Sequence, residues 1–225
     1  MNDRNELFLP FYDEQLVVCE KPFGALSEGE GAECLPALLR KQLGGEIYPV
    51  HRLDRDTTGL MVFARTSRAA AKLSAQITAG TLKKEYLALL SGIPAEPSAR
   101  FSDLLFYDRK KGKSFVVTKE RKGVKRAELT YELLATDSER SLVSVNLLTG
   151  RTHQIRVQFA SRKLPLVGDR RYGAPADGAS IALHSYHLCF THPTEGRAME
   201  FFSAPSRSEF LPFSEHFPIE KSSQM

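Results

Sequence analysis

Short apolar runs, most of them bounded by glycine, proline or charge, limit this fold more than any other feature. Leu16-Val17-Val18-Cys19 runs into Lys21-Pro22-Phe23-Gly24, a strand entering a tight turn. Leu60-Met61-Val62-Phe63-Ala64 has the composition of a buried strand, and another begins at Tyr86 and runs to Leu90. Val143, Val145 and Leu147 alternate with Ser144 and Asn146 until Gly150, the period of a half-buried strand. Ser180–Phe190 and Ala198–Phe202 complete the β segments. Helical spacing occurs in three places: Leu35, Leu38, Leu39 and Leu43; then Ala70, Leu73 and Ile77 between a Ser67 cap and Gly80; then His153 to about Arg162. Strands and helices do not alternate regularly, which argues against a doubly wound sheet. The expected class is α+β: a single mixed domain over residues 1–217, its largely antiparallel sheet flanked by helices and loops. Residues 218–225 are expected to form a flexible tail.

Composition narrows the function classes. The chain has 225 residues, 42% of them hydrophobic, enough for a sizeable core. Cys19, Cys34 and Cys189 are odd in number and form no C-x-x-C pair, so a disulfide framework is not expected. The first residues lack the plan of a signal peptide, and no apolar run approaches the roughly 18 residues of a membrane span. These features predict a soluble, cytoplasmic protein without a membrane partner, with a monomer as the default. The net charge is +4. Much of it falls between Arg109 and Arg126, where Arg109, Lys110, Lys111, Lys113, Lys119, Arg121, Lys122, Lys125 and Arg126 face a single Glu120. After Pro94 and Pro97 this stretch reads as a loop or hairpin insertion. It is either a solvated surface or a contact for a polyanion.

Two polar clusters stand out. In His51-Arg52-Leu53-Asp54-Arg55-Asp56-Thr57-Thr58-Gly59 a tight turn ahead of an apolar strand can present the Asp54 carboxylate, and flanking arginines favour its ionised form. Taken alone, the segment equally fits a Thr-capped Asx turn with surface arginines. In Thr149-Gly150-Arg151-Thr152-His153-Gln154-Ile155-Arg156 a strand ends and a polar helix start follows, and Arg156 is one turn in. Asp54-Arg55-Asp56-Thr57-Thr58 also fits the D-x-D-x-T signature of Mg²⁺-dependent aspartyl phosphatases. That signature should follow a strongly apolar strand, whereas Pro49 lies just upstream and no second acidic metal motif follows. His184, His187, Cys189 and His192 are close in sequence, but strand alternation sends His184 and His187 to opposite faces and the spacing matches no zinc pattern.

Taken in order, these segments resemble the RluA-type family of RNA pseudouridine synthases. Lys21-Pro22-Phe23-Gly24 resembles the family's first motif, and His51–Gly59 matches its H-R-L-D-x-x-T-[ST]-G. Lys84-Glu85-Tyr86-Leu87-Ala88, Thr149–Arg156, Gly168–Gly173, Leu183-His184 and Phe190-Thr191-His192-Pro193 match the later motifs. The resemblance covers roughly residues 16 to 205. It departs at Thr58, where Ser is commoner, at Gln158, at Ser185, and at Ser27-Glu28, which replaces a Val-His type segment. A separate N-terminal RNA-binding module is not expected, because the first strand and its turn come almost at once. The resemblance implies the pseudouridine synthase fold. It implies uridine isomerisation in ribosomal or transfer RNA, with RNA as partner and no metal or other cofactor. It also implies Asp54, Tyr86 and Arg156 as catalytic residues, with Asp54 as nucleophile or sugar base, Tyr86 stacked on the base and Arg156 paired with Asp54. Arg52, Leu183, His51 and Thr57 are the implied substrate contacts, Arg52 filling the gap left by a flipped uridine. A non-catalytic RNA-binding role for the same fold is the alternative.

Overall fold

The computed structural model describes residues 6–29, 31–176 and 178–219. Its architecture is the mixed, mostly antiparallel class expected from the sequence, and its contacts divide the chain into two compact units. One comprises residues up to Lys84 with Ser185–Pro205, and the other Glu85–His184 with the residues from Ser206 onward.

In the first unit β1 (Phe11–Tyr12), β2 (Leu16–Lys21), β4 (Thr58–Ala64) and β10 (Leu183–Thr191) lie side by side, β10 beginning two residues before the unit does. β3 (Tyr48–Pro49) adds to β4 and β11 (Ala198–Phe202) to β10. β2 and β4 are antiparallel, with Val18 opposite Val62 and Lys21 opposite Gly59. Every residue of β4 is buried, so it carries a continuous apolar run rather than an alternating one. On one face Leu16, Val18, Leu60, Val62 and Ala64 pack with Ala69 and Leu73 of α2 (Ser67–Ala79). The helix starts one residue earlier than Ser67 capping would give, because the Thr66 side chain accepts the Ala69 N–H; Gly80 ends it in the left-handed conformation. α1 (Leu35–Leu43) buries Leu35 and Leu39, as its spacing predicts.

In the second unit β5 (Lys83–Ser91, entering from Lys84), β9 (Arg140–Leu147), β8 (Val124–Thr136), β6 (Ser98–Asp108) and β7 (Lys113–Val117) form an antiparallel series in that order. The basic stretch from Arg109 to Arg126 forms the turn and second strand of the β6–β7 hairpin and the start of β8, in keeping with its reading as a hairpin. Phe101 and Leu105 on β6, and Ala127, Leu129 and Tyr131 on β8, are buried at every second or fourth position. This period is visible in the sequence once Glu128 and Thr130, which alternate with Ala127, Leu129 and Tyr131, are assigned to the other face. α3 (Gln154–Ala160) is shorter than the span to Arg162, and its residues from Gln154 to Phe159 are all buried. Val157 meets Leu105, Ala127 and Tyr172, while Phe159 closes an aromatic trio with Phe101 and Tyr131. Among the described residues no helix is long and apolar enough to cross a membrane. The expected tail falls largely on residues 220–225, outside the described ones.

Candidate active site

Asp54 occupies a turn between β3 and β4, closed by the Thr57 N–H donating to the Asp54 carbonyl at 3.1 Å. What fixes this turn lies earlier in the chain, at the end of β2. Lys21 is fully buried, and its ammonium donates to the carbonyls of Arg55 (2.7 Å), Thr57 (2.8 Å) and Pro22 (3.0 Å). An ammonium has three donors, so all are used. Gly24 N–H also donates to the Arg55 carbonyl, at 3.1 Å, and Arg55 Nε returns a bond to the Gly24 carbonyl at the same distance. Just before the acid, the Ser27 hydroxyl donates to the Leu53 carbonyl at 2.7 Å and accepts its N–H at 3.2 Å. The residues on both sides of Asp54 are thus held by the segment from Lys21 to Ser27.

Burial lowers the Lys21 ammonium to about 8 from 10.5, against the pull of Asp56 and Asp54. Lys84 is likewise lowered by burial to about 8. His51 is pushed well below its ordinary value, first by burial and then by the positive Lys84. A neutral His51 agrees with its hydrogen bond, since Nε2 accepts the Val62 N–H at 3.0 Å and supports the edge of β4. Thr57 is 2% exposed. Arg52 points outward and pairs with Glu28 at 2.9 Å, an ion pair exposed by more than half on both sides. Gly59 starts the strand at φ +105°, and a Cβ there would lie 2.3 Å from the Ser185 carbonyl oxygen. Only glycine meets both conditions.

The second unit positions the other residues. Tyr86 is 4% exposed on β5, opposite Val145, and Leu183 is 5% exposed at the start of β10. Arg156, 5% exposed, is held by fully buried Asp169, which accepts from Nε at 2.6 Å and from Nη2 at 3.0 Å. This side-on pairing fixes the guanidinium plane. The Tyr172 ring lies 5.2 Å from Arg156 Cζ. Its hydroxyl accepts the Ser114 N–H at 2.8 Å and meets His153 Nδ1 at 3.0 Å. His153 has φ +54°, a conformation that costs a side-chain-bearing residue on the order of 1–3 kcal/mol, and it forms the first residue of the turn into α3. Gln154 secures the same turn. Its Oε1 accepts from Thr149 Oγ1 (2.8 Å) and Arg151 N–H (3.0 Å), and its Nε2 donates to the Glu128 carbonyl (3.0 Å).

Lys21, Ser27, Asp169 and Tyr172 are supporting residues to which sequence reasoning gave no role at the site. Lys21, Asp169 and Tyr172 sit inside the matched motifs, which is the signal that could have found them; Ser27 sits at a departure from the family pattern. Neither alternative metal reading gains support. The residues from Val50 to Leu53 form no strand, and β3 contributes only Tyr48–Pro49, so the apolar strand that the aspartyl phosphatase signature requires is missing. His187 stacks on Phe202 at 4.4 Å and meets Glu200 at 2.9 Å. His192 meets Asp13, between β1 and β2, through Nε2 at 2.8 Å and accepts the Glu195 N–H on Nδ1 at 3.1 Å, so both its nitrogens serve turns.

Comparison with known proteins places this arrangement. Residues 15–161 match the family model described as RNA pseudouridylate synthase. An RNA pseudouridine synthase of Chloroflexus aurantiacus is 40% identical over 164 residues, covering 71% of this chain and 51% of the relative. The ribosomal large subunit pseudouridine synthase D of Zymomonas mobilis is 33% identical over 223 residues, covering 87% of this chain and 68% of the relative. This chain thus spans from about half to two thirds of these two relatives. The human RNA Pseudouridylate Synthase Domain Containing 1 structure superposes with a TM-score of 0.74 at 25% identity, over 93% of this chain and 86% of its own. With its ordered motifs and a matching fold, the chain belongs to the RNA pseudouridylate synthase family, in its RluA-type branch.

Proposed function

We propose that this protein isomerises a specific uridine to pseudouridine in structured RNA, ribosomal or transfer, acting as a cytoplasmic monomer without metal or cofactor. The uridine leaves its stack to be reached. The C1′–N1 bond breaks, the uracil turns, a bond forms between C1′ and C5, the C5 proton leaves, and N1 ends protonated. The product is an isomer, so no oxidant, reductant or phosphoryl donor is needed. Asp54 attacks C1′ or takes a proton from the sugar. Arg156, fixed along one edge by Asp169, is the cation that keeps Asp54 ionised and oriented. Tyr86 stacks on the base and serves the C5 proton transfer. Arg52 fills the place vacated by the flipped nucleotide, Leu183 packs against the uracil, and His51 and Thr57 shape the wall around Asp54. The cations from Arg109 to Arg126 grip the RNA backbone. Ribosomal RNA is the first substrate to try, because the name of the Zymomonas relative specifies the large ribosomal subunit.

The observation that carries this reading is the turn holding Asp54, pinned on both sides by Lys21 and Ser27. A surface Asx turn needs no such buried support. The test is tritium release from RNA labelled at uridine C5, comparing wild type with Asp54→Asn, each with and without chelator. Release by wild type alone, indifferent to chelator, is expected. Absence of release from both ribosomal and transfer RNA, with folded protein, overturns the catalytic reading in favour of RNA binding alone.

A further inference from the structure

Within the second unit, the β6–β7 hairpin and the turn from Gly150 to Thr152 border a cleft of about 700 Å3. The isomerisation itself does not use it, although some of its cations belong to the stretch assigned to the RNA backbone. Leu105, 4% exposed, contributes an apolar floor, and Tyr107 stands beside it with 38% of its surface open. The Tyr107 ring is supported edge-on by His153, with centroids 6.1 Å apart and planes at 87°. Arg109, Lys110, Lys125 and Arg151 supply the charge of the walls. The acid among them, Asp108, is committed to its own turn, where Oδ1 accepts the N–H groups of Lys110 (2.9 Å) and Lys111 (3.1 Å). No carboxylate of the described residues lies within ion-pair distance of Arg109, Lys110 or Lys125. Arg151 is steadied by its Nε bond to the Arg126 carbonyl at 2.9 Å.

The cleft is preformed. Arg171 Nη1 donates to the Gly112 carbonyl at 3.0 Å and the Lys111 carbonyl at 3.1 Å, and Lys113 Nζ donates to the Arg171 carbonyl at 2.5 Å. These bonds tie the hairpin tip to the turn at Arg170–Tyr172. A volume of this size suits one small planar ligand. Cations without acidic partners suit a phosphodiester, while an open aromatic ring beside an apolar floor suits an unstacked base. Free phosphate would use only the first feature, and duplex RNA has no unstacked base to offer the second.

We propose that this cleft is a nucleotide subsite for single-stranded RNA, distinct from the place of the isomerised uridine. The base lies against Tyr107, and the adjoining phosphodiester is met by Arg109, Lys125 and Arg151. The proposal rests on the RNA reading above and deepens it: the substrate presents a second unpaired nucleotide in addition to its target. RNA recognition through unpaired loops uses this pairing of aromatic ring and cation.

Fluorescein-labelled decauridylate, titrated across a salt series against the full chain, tests the idea with Tyr107→Phe, Tyr107→Leu and Lys125→Ala. Thermal melts would first establish that each surface variant is folded. Tyr107→Leu should weaken binding roughly fivefold or more, and Tyr107→Phe should stay within about twofold of wild type. Lys125→Ala should reduce the slope of log affinity against log salt by about one. A blunt RNA duplex of equal length should respond to Lys125→Ala but not to Tyr107→Leu. Equal binding of decauridylate by Tyr107→Leu and wild type overturns the subsite, whatever Lys125→Ala does. So does an equal loss for duplex and single strand. The tritium-release assay separates the two readings. Release by wild type without a Tyr107 effect removes the subsite alone, and a Tyr107 effect without release removes the catalytic reading alone.

Discussion

Replacing Lys21 with Met removes the ammonium but keeps most of the side-chain volume, and the structure sets opposing terms for the result. Lowering the ammonium from 10.5 to about 8 corresponds to about 3 kcal/mol of unfavourable burial, which Met would relieve. Against this, the carbonyls of Pro22, Arg55 and Thr57 lose a donor, at about 1–3 kcal/mol each if they stay buried. The net destabilisation is then between about 0 and 6 kcal/mol, and the low end is reached only if the carbonyls turn towards water. That turning is what would move Asp54. Activity should fall in either case, by about a hundredfold in kcat for a displacement near 1 Å. KM for RNA should change little, because Lys21 is fully buried and offers no surface to a substrate. Urea unfolding and single-turnover tritium release would measure the two effects. Wild-type stability together with wild-type kcat would refute the argument that Lys21 holds the turn.

The same lysine gives pH signatures of opposite sign. Its folded value, about 8, lies below its unfolded value, so the unfolded chain binds the extra proton between them. Stability should therefore rise with pH from about 8, by up to about 1.4 kcal/mol per unit, with Lys84 contributing in the same direction. The Cys19 thiol, raised by burial from 9.0 to about 12, reverses part of this gain above pH 9. Catalysis should decline over the same interval, because a neutral amine has only two donors for three carbonyls. Lys21→Met should lack that alkaline decline.

Other substitutions probe separate features. Gly59→Ala should lose on the order of 3 kcal/mol or more, or fail to accumulate as soluble protein, because its Cβ would overlap the Ser185 backbone at a left-handed φ; urea denaturation reads this directly. Glu28→Gln should leave stability within about 0.5 kcal/mol while lowering KM for RNA a few-fold at low salt, since it releases Arg52 and removes a negative charge beside it. An unchanged KM would show that Arg52 does not need to leave Glu28. Tyr172→Phe should cost about 1–3 kcal/mol in a chemical melt, because the buried Ser114 N–H loses its acceptor and His153 Nδ1 its partner. Full stability in that variant would mean that water replaces the hydroxyl.

The sequence exposed what depends on local periodicity and concealed what depends on burial of unusual groups. β4, α1 and the end of α2 at Gly80 follow from apolar spacing and a left-handed cap. β6 was hidden because its buried Phe101 and Leu105 stand four residues apart, with Ser102, Asp103 and Leu104 between them, too sparse a series to read as an alternating strand. Asp54 was legible through its motif, but its support was not. A lysine beside a Pro-Phe-Gly turn suggests solvent, and nothing local indicates that Lys21 points inward to three carbonyls up to 36 residues away. Asp169 was hidden for a similar reason: its pairing with Arg156 spans 13 residues and is made only when α3 folds against the turn at Arg170–Tyr172.

The clamp on Asp54 also bears on how this segment can be exchanged. Within residues 51–59 the backbone bond from Thr57 to Asp54 shapes the turn, and further restraints come from Lys21, Gly24 and Ser27. A chimera that imported only those nine positions from a relative would keep every polar side chain of the motif and lose its fitted backbone. Exchanging residues 21–28 with them would move the support as well as the acid. The unit that evolution or a designer can pass between such enzymes is therefore a pair of segments distant in sequence, not the nonapeptide by which the family is recognised.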